Sequence, residues 1–187
     1  MKHQPWSRIL VEAAAVLVLF AAVGAGAGWL WRQVWDPPLG VVEQRQWLYV
    51  DFNAVGHLFG GTGLFAVIGF GAMVVAGVVA ALACRGSELA TLVVVALAGG
   101  LAAFVAYQVG TAANGPDPRL LALVLDDRTQ LPGLLEVTGR PPFLAWPLGA
   151  LVGLAGTYVL TTGVSAGVAE TRRVDLAEQP GTPTHRA

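Results

Sequence analysis

The chain has 187 residues, of which 55% are apolar and 12% charged, with 24 glycines and a formal net charge of −1. A water-soluble domain carries roughly 25% charged residues, so this composition cannot cover a water-facing surface and points to an integral membrane protein. The near-zero charge also excludes the basic field that nucleic-acid binding needs.

Four stretches lack Asp, Glu, Lys and Arg: Ala13 to Trp31, Phe52 to Cys84, Leu89 to Pro116, and Pro141 to Ala169. Each meets the requirement of roughly 18 to 20 apolar residues to cross a hydrocarbon core about 30 Å thick. The expected fold is all-α: a bundle of four transmembrane helices, over about 9–32, 55–83, 89–111 and 143–167. Loops 33–54 and 112–142 should form a small extracytoplasmic cap of short strands and a short helix, and 170–187 a disordered cytoplasmic tail.

The opening segment carries Lys2 and Arg8 before an apolar run, and Ala25-Gly26-Ala27 resembles a signal-peptide cleavage site. Against cleavage, Glu12 interrupts the run, and apolar character continues past that site, so the segment is read as a retained helix. Trp29, Trp31 and Trp35 should form an interfacial belt at its far end, with Asp36-Pro37-Pro38 as the stop. Leu39 to Val55 mixes β-branched and aromatic residues with polar ones, as a short strand or hairpin arm would. The second span follows, and Arg85-Gly86-Ser87-Glu88 reads as a tight turn with Ser87 as N-cap. Spans two and three should therefore form an antiparallel hairpin.

Beyond Gly110, Asn114-Gly115-Pro116 breaks the helix, and Asp117-Pro118 offers an N-cap and a first-turn proline for a short helix to about Leu125. Its apolar residues Leu120, Leu121, Val124 and Leu125 should lie on the membrane surface or on the other loops. Leu131-Pro132-Gly133 reads as a turn into Leu134 to Val137, a segment able to pair with Trp47 to Val50. Pro141-Pro142 then leads into the fourth span, with Trp146 as an interfacial anchor and Pro147 in the first turn.

Lys2, Arg8, Arg85, Arg172, Arg173 and Arg186 fall on the terminal side, against Arg32, Arg45, Arg119, Arg128 and Arg140 in the long loops. The count is nearly even. The tight Arg85 turn and the Arg172-Arg173 pair at span ends favour both termini in the cytoplasm, in a multi-pass protein of the plasma membrane.

The strongest local signal is small-residue spacing, which lets helix backbones approach closely where no hydrophobic force acts between them. Gly56-x-x-x-Gly60 and Gly149-x-x-x-Gly153 fit it, the second extended by Gly156, with Gly24, Gly26 and Gly28 on the first span. These faces serve packing within one chain, or an interface to another copy or another membrane protein. Five polar residues lie in or near the membrane: Glu12, Asp51, His57, Gln108 and Asn114. Intramembrane ionisable groups are functional candidates, yet His57 reads first as an interfacial hydrogen-bonding residue, and Glu12 as the partner of Arg8 one turn away. Asp117, Asp126 and Asp127 have no EF-hand spacing. Cys84, the single cysteine, reads as a quiet thiol, and palmitoylation is the sharper alternative. No G-x-S-x-G, phosphate-cradling loop or Cys/His metal spacing is present. No catalytic residue, cofactor or metal ligand is therefore expected.

Arginine in place of lysine, and alanine, glycine and valine in place of isoleucine, suggest a GC-rich genome. From Asp51 to Tyr158 the chain resembles a family of small actinobacterial membrane proteins, mycobacterial ones included, with no established activity. The likeness rests on the small-residue span Gly100 to Gly110, on Gly115-Pro116-Asp117-Pro118, on Leu131-Pro132-Gly133 and above all on Pro142-Phe143-Leu144-Ala145-Trp146-Pro147. It implies four membrane helices with the long loops outside, and no catalytic residue. The functional expectation is a non-enzymatic scaffold or accessory subunit of a cell-envelope membrane complex. Its partners would be membrane lipid and either another membrane protein or a second copy, with no nucleic acid. A small homo-oligomeric transporter or channel is the alternative, and a membrane enzyme acting on a lipid or cell-wall precursor the third.

Overall fold

The computed structural model describes the backbone of residues 6–50, 54–84 and 88–178, and their side chains except at 6, 8, 9, 54–59, 88 and 163–178. It is mostly helical. In chain order the elements are α1 (Trp6–Val34), β1 (Leu39–Glu43), β2 (Gln46–Tyr49), α2 (Ala54–Ala83), α3 (Glu88–Thr111), α4 (Pro118–Leu121), β3 (Gln130–Pro132) and α5 (Pro141–Glu178). Four of the helices hold segments long and apolar enough to cross a membrane: Leu10–Val34, Gly60–Ala83, Leu89–Thr111 and Pro141–Thr162. At about 1.5 Å per residue, even the shortest is longer than a hydrocarbon core of about 30 Å.

The helices are apolar almost all round, so amphipathicity does not tell them how to pack. Small residues do. A Cβ placed on Gly24 would stand 2.5 Å from the Ala102 carbonyl oxygen, and one on Gly28 would collide with Ala106, which seats α1 on the Ala98, Ala102 and Ala106 row of α3. On the other side Gly149 and Gly153 of α5 lie against the Phe70 and Val74 carbonyls of α2, and Gly77 of α2 lies against Ala150 of α5. Gly99 of α3 receives Pro147, joining α3 to α5. The result is a ring in the order α1, α3, α5, α2.

That ring corrects the expected hairpin of spans two and three. The two helices face each other across the diagonal and meet hardly at all. The short connection limits the distance between their ends, but backbone complementarity elsewhere decides their neighbours. The turn itself, with Ser87, lies outside the described residues.

Two tryptophans expected at the membrane interface belong to the core. Trp31 and Trp146 are each 1% exposed. With Phe65 and Phe143 they form an aromatic cluster, in which the ring centroids of Trp31 and Phe65 are 5.0 Å apart and those of Phe65 and Trp146 5.1 Å. Trp146 fits because Gly69 leaves room for its indole, and Trp31 because Gly110 does. Of the expected belt, Trp29 is exposed and Trp35 half-buried.

α5 begins at Pro141, so Pro147 falls in its second turn rather than its first. The helix continues to Glu178, well past residue 167, so the first part of the expected disordered tail is helical. Residues 179–187 lie outside the described residues.

Above the ends of the helices the two long loops join in one three-stranded antiparallel sheet, in the order β2-β1-β3. β1 and β2 form a hairpin whose two-residue turn puts Gln44 at φ 50° and Arg45 at φ 64°, the left-handed conformations of a type I′ turn. The pairing of the second loop differs from the expectation: β3 is Gln130–Pro132, and it pairs with β1 rather than with β2, in the register Gly40↔Leu131. Trp47 explains this choice. Its indole crosses β1 over Gly40 and donates to the Leu131 carbonyl at 3.1 Å, tying the third strand to the free side of β1. Pro132, which has no N–H to offer, sits on the edge strand, where proline is tolerated. The helix expected to reach Leu125 stops at Leu121, and the residues after it continue as turns. Leu120 and Val124 are exposed, at 66% and 80%.

Candidate functional site

The junction between cap and bundle gathers most of the long-range side-chain hydrogen bonds among the described residues. α3 ends at Thr111 with unsatisfied carbonyls, as every helix must. Arg32, in the last turn of α1, supplies the donors: Nη1 donates to the Gly110 carbonyl at 3.3 Å and to Asn114 Oδ1 at 3.2 Å, and Nη2 to the Ala113 carbonyl at 2.8 Å. A cation here also meets the negative end of the α3 dipole. Asn114 passes the connection on, its Nδ2 donating to the Leu135 carbonyl at 2.8 Å. Leu135 is buried against the core, so one arginine and one asparagine bind the ends of α1 and α3 to the second loop. Trp31 adds a buried bond, its Nε1 donating to the Gly61 carbonyl of α2 at 2.7 Å.

Two hollows lined by described residues open at this level. The larger, about 280 Å³, has Arg32, Trp35 and Asn114 on the bundle side and Leu121, Leu131 and Leu134 on the cap side. The smaller, about 20 Å³, has room for about one water between Trp35, Trp47 and Tyr49 on one side and Asp117, Arg119 and Glu136 on the other. Arg119 and Glu136 pair there at 3.4 Å, with both side chains well exposed, so the pair contributes little to stability. Burial pushes the Tyr49 phenol above its ordinary value of 10.0; Glu136 adds to the rise and Arg119 opposes it. Asp117 caps α4 by accepting from the Arg119 backbone N–H at 2.9 Å.

The residues singled out by sequence fall in different places. Gly24, Gly28, Gly149 and Gly153 lie in seams within the chain. Gly26, Gly60 and Gly156 face open space, with nothing within 4 Å of where a Cβ would stand. Gly56 and His57 lie among the side chains outside the described set, as does Asp51. Glu12 is half-buried at the opposite end of the bundle, where its carboxylate adds to the burial that raises the Cys84 thiol. Gln108 is exposed, and among the polar candidates with described side chains Asn114 alone joins the cap junction. Sequence reading missed the role of Arg32, which entered only as a charge. Its signal was a lone basic residue in the last turn of a helix, followed by Asp-Pro-Pro. Among the described residues no group of three His, Cys, Asp or Glu side chains stands ready to hold a metal ion. No protein-family model, no curated protein and no solved structure matches the chain.

Proposed function

We propose that the chain is an integral protein of the plasma membrane with four spans, termini in the cytoplasm and cap outside, serving as a scaffold or accessory subunit of a cell-envelope membrane complex. The observation that carries this reading is the closed interior of the bundle. Its buried residues are aromatic, aliphatic, methionine, alanine or glycine, and Thr91 is the one buried polar residue among the described side chains. A pathway for ions or solutes is normally lined by ionisable or carbonyl groups, so a pore through a single chain is disfavoured. What the bundle offers instead is its outside, where Gly60 and Gly156 leave helix backbone open to a neighbouring helix. The likeness to small actinobacterial membrane proteins belongs to the same proposal and brings no activity with it.

The test is gentle detergent extraction from the native host at natural expression, followed by native mass measurement and identification of co-migrating chains. A stoichiometric heteromeric complex, lost in Gly156→Leu or Gly60→Leu while insertion persists, is the expected result. A lone oligomer of this chain would overturn the reading and turn attention to flux through an interface between copies.

A further inference from the structure

We infer that the 280 Å³ hollow between cap and bundle is a binding site for a phosphate-bearing group, with Arg32 as its anchor. The inference rests on the membrane reading only for the source of the ligand, since a lipid headgroup and a free phosphate present the same chemistry.

The charge balance of Arg32 is the first ground. All three of its bonds go to neutral acceptors, two backbone carbonyls and the Asn114 amide oxygen. Asp36, one turn on, forms no ion pair with it, and neither does any other carboxylate among the described residues. A guanidinium has five N–H donors. Nε makes no bond among the described residues and Nη2 makes one, so donors remain for a phosphate oxygen. The engaged donors hold the side chain in place before any ligand arrives, which spares the ordering cost of a free arginine.

The shape of the hollow is the second ground. At about 280 Å³ it far exceeds the roughly 10 to 15 Å³ that one water needs by the same measure, so it admits a phosphate group with part of a glyceryl arm. Apart from Asn114, its remaining side-chain wall is apolar, formed by Trp35, Leu121, Leu131 and Leu134 together with prolines. An anion bound there would meet its counter-charge in a site partly shielded from water, where such pairs are stronger than at an open surface. No acidic side chain lines this hollow, whereas Asp117 and Glu136 line the smaller one beside it.

The full chain in neutral detergent micelles is offered three probes: inorganic phosphate, dioctanoyl phosphatidylglycerol, and dioctanoylglycerol as the phosphate-free control. Native mass spectrometry should retain one phosphatidylglycerol per chain and no excess of dioctanoylglycerol. Arg32→Gln should lower retention at least tenfold and Arg32→Lys several-fold, since lysine keeps the charge without the fork. Arg32 also holds the end of α3, so a second variant is needed. Gly115 lines the hollow and has nothing within 4 Å of its Cβ position. Gly115→Phe should therefore fill the site without disturbing the fold, keep the wild-type melting temperature and lose binding at least tenfold. Displacement of the lipid by millimolar phosphate would identify phosphate alone as sufficient, and its failure to displace would assign the site to lipid headgroups. Equal retention of the two lipids, or wild-type binding by Gly115→Phe, would overturn the inference. Release of the chain from liposomes by an alkaline wash would instead overturn the membrane reading, leaving phosphate binding in micelles to be judged separately.

Discussion

The bundle and the cap are held by different kinds of contact. Between the helices, backbone meets backbone through glycine and alanine, and Trp31 makes the one buried side-chain hydrogen bond between helices among the described residues. At the cap, direction matters: Arg32, Asn114 and Trp47 each donate to particular oxygens on another segment. A contact of the first kind depends on volume and fails when an atom is added. One of the second kind depends on donors and fails when one is removed. The two regions should therefore break under opposite kinds of substitution.

The largest effect is expected at the α2–α5 seam. Gly153→Leu would drive a side chain into the Val74 backbone, which cannot move aside without parting the helices, and overpacking of even a few atoms costs about 1 to 3 kcal/mol. This variant should lose its cooperative melting transition in micelles, whereas Gly156→Ala, on an open face of the same helix, should melt within about 0.5 kcal/mol of wild type. Next comes the cap junction. Arg32→Gln removes charge-assisted bonds to the end of α3 and should cost about 1 to 3 kcal/mol, with faster hydrogen exchange from Thr111 to Leu135 and unchanged exchange in mid-α2. Trp31→Phe keeps most of the ring in the core and removes the bond to Gly61. The expected loss is about 1 to 2 kcal/mol, confined to the meeting of α1 and α2.

The smallest effect is a pH dependence of the cap. Because burial raises the Tyr49 phenol above 10.0, the folded cap holds that proton more tightly than an unfolded chain does. The stabilisation is complete below pH 10.0 and is lost as the pH climbs through the raised value. Alkaline titration should therefore loosen the exchange protection of β2 before that of the bundle, and Tyr49→Phe should remove this dependence. Equal losses in cap and bundle would show that the two regions do not separate.

The helices were legible because length and lack of charge depend on composition alone. Their neighbours were not: Gly24, Gly28, Gly149 and Gly153 stood out as packing residues, but nothing in their spacing states which backbone each one meets. Trp31 and Trp146 were misplaced for a related reason, since an indole suits either an interface or a glycine notch, and only Gly69 and Gly110 across the bundle decide between them. In the cap, the Asp117-Pro118 start was readable from local chemistry. The Gln44-Arg45 turn carries no glycine or asparagine to announce it. The pairing of β3 depends on a tryptophan some 84 residues away in sequence. Asn114 was found and Arg32 was not, because an amide at a helix break is conspicuous, whereas an arginine at a helix end is ordinary until its acceptors are seen.

The diagonal placement of α2 and α3 bears on how the chain assembles. Helices that emerge one after the other usually zip together as soon as both are made, and rapid assembly favours contacts close in sequence. Here α2 has its most extensive contact with α5, the last of these helices in chain order, and α3 must reach back past α2 to α1. Until α5 arrives, the face of α2 around Phe70 and Val74 has no mate, so a ribosome stalled before Pro141 would leave a half-built molecule open to chaperones and to proteolysis.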